Sequence, residues 1–486
     1  MNIHFKLGKR LAGPIYLSLA TEIARMIDTD ELRAGQALPS SRELAAQLGL
    51  SRDTVVNAYR ELNRLAYTCG DPPKGTYIIE RHHRISSHVE EIKLNNEILS
   101  AFGKQMIGEM FRHSSSASFA GLNYGAVPRS ALPIRKWGSI MQELCKPETF
   151  RKLEYKPDVL GRFELRKAIA GYLYRTKGIE CDWRQVAVFS ISSGLINVVC
   201  KLLLEPEATV AVEEPGYGAV KNIAKTLGLS LLPVHLDDQG LTVKILESHK
   251  GPIHMVYVTA GHHDPTGTIM SMERRAELLS WAQKKGVWII DDDYDGHFYY
   301  DSEPPKALWS LNPESNVIYS STFWQILYPL TTIGYAVFPK KLIPAIVAAK
   351  ELQTECLADS MVQLVLSKLL DEGHLENHIR RTRRIFSKRR VAIIYELKRQ
   401  FGSDIEIRKE SAGCYIAIYF RRWSESEVNA AALESDLPIV PTRSYYLVNS
   451  KDGEYLFNFT LDPEEIAAAK LAAFVKVLRV EEASQK

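Results

Sequence analysis

Cysteine is sparse, and its placement excludes more than it offers. The six cysteines (Cys69, Cys145, Cys181, Cys200, Cys356, Cys414) form no C-x-x-C pair and no metal-ligand spacing. They argue against a disulfide framework and a structural zinc site, and free thiols in a reducing compartment are expected. No apolar run approaches the roughly 18 residues of a membrane-spanning helix, so no membrane partner is expected. The opening Met1-Asn2-Ile3-His4-Phe5-Lys6 lacks the apolar stretch of a secretory signal, which points to a cytoplasmic setting. Excess charge is missing too: a net +3 on 486 residues argues neither for nor against a polyanionic partner.

What is present is an ordinary globular composition, 45% hydrophobic and 24% charged, on a chain long enough for two or three domains. Ile15, Leu17, Leu19, Ile23 and Met26 have the spacing of an amphipathic helix. Gly35 and Pro39 then mark a loop. Ser40 or Ser41 caps a short helix, Arg42 to Leu48, and Gly49 stops it. Ser51 caps a second helix over about 52–64. Two short helices joined at Gly49-Leu50 predict a helix-turn-helix, with the second helix for the major groove. Its first turn offers Ser51, Arg52, Asp53, Thr54 and Asn57, side chains suited to base edges and phosphates. Tyr67 to Ile79 reads as two strands around a Pro/Gly turn, a wing with Lys74 near its tip.

The runs Leu38-Pro39-Ser40-Ser41-Arg42-Glu43-Leu44-Ala45, Ser51-Arg52-Asp53-Thr54-Val55 and Lys74-Gly75-Thr76-Tyr77 resemble GntR-type winged helices. The resemblance covers about 12–80 and implies contacts to double-stranded DNA from Arg42, Ser51, Arg52, Thr54 and Lys74. Ala66 departs from it, since the family has glycine there. Residues 1–80 hold ten Lys/Arg against nine Asp/Glu, so order and spacing carry this reading rather than bulk charge. Near-neutral charge implies modest affinity per module, hence two modules for useful specificity.

Residues 81–116 open with Arg81-His82-His83-Arg84 and continue with partly helical spacing, which predicts a linker with helical stretches. From Phe119 onward, helical and strand patterns alternate as in α/β proteins with a mainly parallel sheet. Strands are expected at 185–189, 209–212, 254–258, 287–290 and 316–319, with helices over 195–204 and 272–285.

The strand ends carry further motifs. They are Gly161-Arg162-Phe163-Glu164-Leu165-Arg166, Ser192-Ser193-Gly194-Leu195, Glu214-Pro215-Gly216-Tyr217, Asp264-Pro265-Thr266-Gly267 and Ile290-Asp291-Asp292-Asp293-Tyr294-Asp295. With Ser320 to Tyr335 they resemble fold-type I pyridoxal phosphate enzymes over about 117–480, and the aminotransferase-like domains of MocR-type regulators in particular. The resemblance implies a seven-stranded, mainly parallel large domain (117–345) and a smaller C-terminal α+β subdomain (346–486). In its terms the N-terminal helix turn at Gly194 and Leu195 cradles a phosphate. Tyr217 stacks on the pyridine ring, Asp292 pairs with the ring nitrogen, and Tyr294 faces the ring oxygen.

The departures set the functional expectation. Gln325 stands at the family's lysine position, Thr332 at an arginine position, and Leu456 where another arginine would grip a substrate carboxylate. The turn at His263 and Asp264 is altered as well. An amide is no nucleophilic amine and forms no imine with an aldehyde. Losing lysine and arginine forfeits roughly 1.5–3 kcal/mol for each charged hydrogen bond. The expectation is a homodimeric, DNA-binding transcriptional regulator, not an enzyme, with a degenerate pocket of Gly194, Leu195, Tyr217, His263, Asp264, Asp292, Tyr294, Gln325 and Thr332. A small-molecule effector is expected there, and pyridoxal phosphate only without a covalent bond. The alternatives are a regulator that holds pyridoxal phosphate in that way, a residual aminotransferase-type enzyme, or a purely structural dimerisation domain. The basic run Arg380 to Arg390 reads as a packing and solvated helix face rather than a second DNA site.

Overall fold

The computed structural model describes residues 15–28, 31–65, 67–71, 75–79, 100, 103–104, 128, 131–151, 158–301, 303–313, 315–352, 359–408, 411–448 and 450–484. Contacts divide the chain into two units, 1–98 and 99–486. Lys74, Ala66 and nearly all of the expected linker 81–116 lie outside the described residues.

In the first unit, α1 (Ile15–Asp28) buries Leu19 and Ile23 against α2 (Ser41–Leu48) and α3 (Arg52–Arg64). Local signals set the ends of both later helices. The Ser40 hydroxyl accepts from Glu43 N while the Glu43 carboxylate accepts from Ser40 N, a reciprocal capping box. Gly49 ends α2 at φ 65°, a left-handed conformation that costs glycine little. Leu44, Val55, Ala58 and Leu62 close a small core, and the Tyr59 hydroxyl donates to Pro39 O at 2.7 Å. β1 (Thr68–Asp71) and β2 (Gly75–Ile78) pair antiparallel from Thr68↔Ile78 to Asp71↔Gly75 as the wing.

The second unit is built on β3 (Val186–Phe189), β4 (Thr209–Glu214), β5 (Ser230–Asp237), β6 (Gly240–Leu241), β7 (Met255–Val258), β8 (Trp288–Asp293), β9 (Val317–Thr322) and β10 (Gly334–Val337). The sheet order is β3-β10-β9-β8-β7-β4-β5-β6. The pairs from β9 through β8, β7 and β4 to β5 are parallel, and β10 runs antiparallel to both its neighbours. Eight strands replace the seven expected: the two-residue β6 turns back on β5 through Asp237↔Gly240, too short to leave a period in the sequence.

Helices cover both faces of this sheet, which explains its unbroken apolar runs. Val186, Val188, Val256, Val258 and Ile289 enter one core, while the alternating Ala187, Phe189, Met255, Tyr257 and Ile290 enter another. Among the covering helices are α4 (Ile134–Leu144), α5 (Phe163–Lys177), α6 (Ser192–Leu203), α7 (Gly218–Thr226), α8 (Met272–Lys285) and α9 (Ile343–Leu352). The boundary expected between 345 and 346 falls inside α9, whose Ile346 and Ala349 pack in the core of the large sheet.

Beyond it, α10 (Ser360–Asp371) and the long α11 (His374–Phe401) lead to β11 (Ile405–Arg408), β12 (Tyr415–Phe420), α12 (Glu425–Ser435), β13 (Ile439–Pro441), β14 (Glu454–Asn458) and α13 (Glu464–Ser484). The strands form an antiparallel sheet in the order β11-β12-β14-β13. Phe401, Phe420, Trp423 and Phe474 lock the helices onto it edge to face. On α11, Arg390 is buried and grips Asp301 with two bonds of 2.7 and 2.8 Å, and Arg389 donates to Thr460 O.

Candidate functional site

The first unit exposes polar side chains on α2 and along the start of α3. Ser51 caps α3, accepting from Thr54 N at 3.2 Å, and its hydroxyl meets Thr54 Oγ1 at 2.8 Å. Arg42, Ser51, Arg52 and Asn57 are exposed and Thr54 is half-buried, while Val55 and Ala58 face inward. Four of the five expected DNA contacts thus lie on or beside the two helices, and Lys74 is the one outside the described residues.

In the second unit, the carboxyl ends of the parallel strands converge. Asp292 at the end of β8 is held from both neighbouring strands: Tyr257 on β7 donates to Oδ2 at 2.5 Å and Ser320 on β9 donates to Oδ1 at 2.8 Å. Burial pushes its carboxyl up to about 6, against the pull of these two hydrogen bonds. Tyr217, which opens α7, stacks on Tyr257 with centroids 6.4 Å apart and planes at 21°. The charges of Asp292 and Asp264 lie close enough to raise the Tyr217 phenol beyond what burial does. Gly216 must be glycine, because a Cβ there would lie 2.3 Å from Glu213 O.

Gln325 is the second residue of the short helix Trp324–Leu327, directly after β9. It is 8% exposed, it lies beside Tyr415 on β12, and its Oε1 has no hydrogen-bond partner among the described residues. Tyr415 in turn feels Asp264 and Asp295, and Tyr294 feels Asp264, Asp295 and Tyr415. Asp264, Asp292, Tyr217, Tyr294 and Gln325 therefore belong to one cluster.

Gly194 and Leu195 lie in the first turn of α6, whose N-cap Ile191 is extended and supplies no side-chain cap. Gly194 is half-buried at that turn, while the Leu195 side chain packs into the core. Thr332 is exposed, and its hydroxyl donates to Ser190 O at 2.8 Å, tying the loop before β10 to the loop before α6. His263 is spent on structure: Nδ1 pairs with Thr266 Oγ1 at 2.7 Å and Nε2 with Pro215 O at 3.0 Å. Burial lowers its imidazole to about 3 and raises neighbouring Glu213 to about 8, so their 3.7 Å contact joins neutral groups at pH 7.

Sequence reasoning left Tyr257, Ser320 and Tyr415 unassigned, and also His262, which bonds Asp295 Oδ2 at 2.8 Å and whose Nε2 has no partner among the described residues. The buried cations point elsewhere. Lys177 pairs with Asp293 at 2.9 Å, Lys221 donates to Tyr445 O, and Arg275 donates to the carbonyls of Met270, Lys306 and Ala260. No group of His, Cys, Asp and Glu among the described residues could hold a metal ion. No described helix is long and apolar enough to cross a membrane.

Residues 15–78 match the family of bacterial regulatory proteins, gntR family, and residues 131–468 match aminotransferase class I and II. An uncharacterized HTH-type transcriptional regulator of Bacillus subtilis, YdeL, is 29% identical over 92% of this chain and 93% of its own. The probable rhizopine catabolism regulatory protein MocR of Rhizobium meliloti is 26% identical over 85% of this chain and 83% of its own. The crystal structure of a multiple substrate aminotransferase from Thermococcus profundus overlays with a TM-score of 0.69 at 22% identity, covering 79% of this chain and 99% of that one, and so shares the fold. The chain belongs to the aminotransferase class I and II family and carries a gntR-type helix-turn-helix ahead of that domain.

Proposed function

We propose that this protein is a DNA-binding transcriptional regulator whose aminotransferase-like domain dimerises the chain and senses a small molecule without Schiff-base chemistry. The observation that carries the DNA-binding half is the Ser51-capped α3, with Arg52 exposed in its first turn and Arg42 exposed on α2. A helix N-terminus beside guanidinium groups suits phosphates and base edges in the major groove. The relatives named as HTH-type transcriptional regulators support the same reading over nearly the whole chain. A homodimer supplies the two half-site readers that modest charge per module requires.

The sensing half rests on what the cleft has and lacks. Gln325 occupies the lysine position of the family pattern, and an amide offers no lone pair for condensation with an aldehyde. Neither nearby buried lysine replaces it, since Lys177 and Lys221 are engaged by Asp293 and by Tyr445 O. Thr332 spends its hydroxyl on Ser190 O where the pattern has an arginine. Pyridoxal phosphate held as an imine does not fit these residues. The parts that would hold a flat ring, Tyr217 and Asp292, and the uncapped first turn of α6 remain. The cleft is thus suited to reversible binding, and a ligand acts on DNA binding by preferring one conformation of the protein over another.

The test is selection of full-length protein on a pool of random duplexes at low salt, followed by fluorescence anisotropy on the enriched sequence. Arg52→Ala is expected to weaken binding about tenfold and to shallow the salt dependence by about one charge. If the wild-type protein enriches no sequence and ignores duplex DNA at low salt, the reading fails.

A further inference from the structure

Between Asn377 and Tyr395, α11 carries seven Lys/Arg and no Asp or Glu. That stretch alone exceeds the net +3 of the whole chain, so the rest of the sequence is net negative. Burial divides the seven. Arg389 and Arg390 pack, the role expected for the run, and spend their guanidinium groups on Thr460 O and Asp301. They lie among the buried residues of the helix with Thr382, Phe386 and Ile393. Arg380, Arg381, Arg383, Arg384 and Lys388 are exposed. Among the described residues none of these five meets a carboxylate, and only Arg380 has a hydrogen-bond partner, the neutral Asn377 Oδ1 at 2.6 Å.

Other exposed arginines are neutralised: Arg25 by Glu22 and Glu31, Arg64 by Glu61, Arg399 by Glu396 and Arg421 by Glu406. A solvated helix face gains from such pairs one turn apart, and this one forgoes them all. Arg42 and Arg52, the guanidinium groups assigned to DNA above, are exposed and without a carboxylate in the same way. Arg380, Arg384 and Lys388 recur at every fourth position and so line one side of α11, with Arg383 beside them. At 1.5 Å per residue the row is about 12 Å long, the axial length of about three phosphates on one DNA strand. Arg383, Arg384 and Lys388 also border an open hollow whose lining includes Tyr300, Asp301 and Glu303. Asp301 is already neutralised by Arg390, and Glu303 pairs with none of the three, so positive charge prevails there.

We propose that this row is a second DNA contact, which grips the phosphate backbone of a duplex without reading its sequence. It supplies the attraction that residues 1–80, with ten Lys/Arg against nine Asp/Glu, lack. The proposal rests on the reading of the chain as a DNA-binding regulator and gives the second unit a face toward the same partner.

The test removes four charges together, Arg380→Gln, Arg383→Gln, Arg384→Gln and Lys388→Gln, leaving polar side chains that a helix tolerates. A control makes the same change at four exposed lysines of the same unit, Lys201, Lys244, Lys284 and Lys285. Fluorescence anisotropy of each full-length protein is read on the enriched sequence and on a random duplex of equal length, from about 50 to about 200 mM salt. The row variant is expected to lose at least about tenfold on both duplexes, to keep its preference between them, and to shallow the slope of log K against log salt by about three. The lysine control is expected to stay within about twofold of wild type with its slope unchanged. Arg384→Gln alone, expected to cost about one unit of slope, carries the test should the fourfold variant melt early. An unchanged slope and affinity in the row variants overturns the proposal, as does an equal loss in the control or a loss confined to the enriched sequence. Wild-type protein that ignores every duplex removes the DNA-binding reading itself, so the two failures are told apart.

Discussion

Ser320 and Asp292 are register partners across the β8–β9 pairing, and the serine hydroxyl donates to Asp292 Oδ1 at 2.8 Å. The tyrosine on the opposite neighbouring strand, Tyr257, donates to the other oxygen. A carboxylate buried at a strand end is costly unless its lone pairs are met. The parallel sheet meets them from both sides, which aims this acid at the cleft above the strand ends.

The sheet holds a second acid by different means. Glu213 accepts from Thr259 N and Oγ1 at 2.9 and 2.7 Å, yet burial still pushes it from 4.5 up to about 8. The folded protein keeps a proton that the unfolded chain releases, so this group's contribution to stability is full below pH 4.5 and is lost as pH rises through 8. Glu213→Gln mimics the protonated form. Chemical denaturation should find it near parity with wild type at pH 4.5 and more stable by roughly 4–5 kcal/mol at pH 8.5.

Helix α3 depends on one hydroxyl. Ser51→Ala removes the acceptor of Thr54 N and should cost about 1 kcal/mol of stability in the helix-turn-helix unit. A thermal melt followed by circular dichroism checks this, and a loss confined to DNA affinity with an unchanged melt would contradict it.

Gly413 joins the two subdomains of the second unit at close quarters. Its φ is 77°, its N–H donates to Phe298 O at 2.8 Å, and a Cβ there would stand 2.3 Å from His262 Cε1 and 2.6 Å from Asp295 Oδ2. Gly413→Ala should therefore lose roughly 3 kcal/mol, from backbone strain and from separation of the His262–Asp295 pair. Gly138→Ala, exposed on α4 with nothing within 4 Å of the added Cβ, is the control expected to lose nothing.

Some of this was legible in the chain because the signals are local. Ser51, Gly49 and the span Met272–Lys285 announce helix ends through capping chemistry, and the structure places those ends there. The strands read as apolar runs because each is buried on both faces. What escaped depends on pairing between distant segments. Tyr257 and Ser320 matter only because their strands flank β8, and Tyr415 reaches Gln325 from the other sheet, 90 positions along the chain. The two-residue β6 is too brief to leave a period. His263 drew notice as an unusual residue in its turn, and the geometry gives it to structural bonds with Thr266 and Pro215.

The Glu214 carboxylate accepts from Leu447 N and Val448 N at 2.7 Å each, and Gly216 N donates to Tyr445 O at 2.8 Å. These bonds rivet the turn that carries Tyr217 to the loop between β13 and β14. Tyr217 and the far sheet are thus bound into one unit, so that a shift of either is shared with the other through a linkage three residues long.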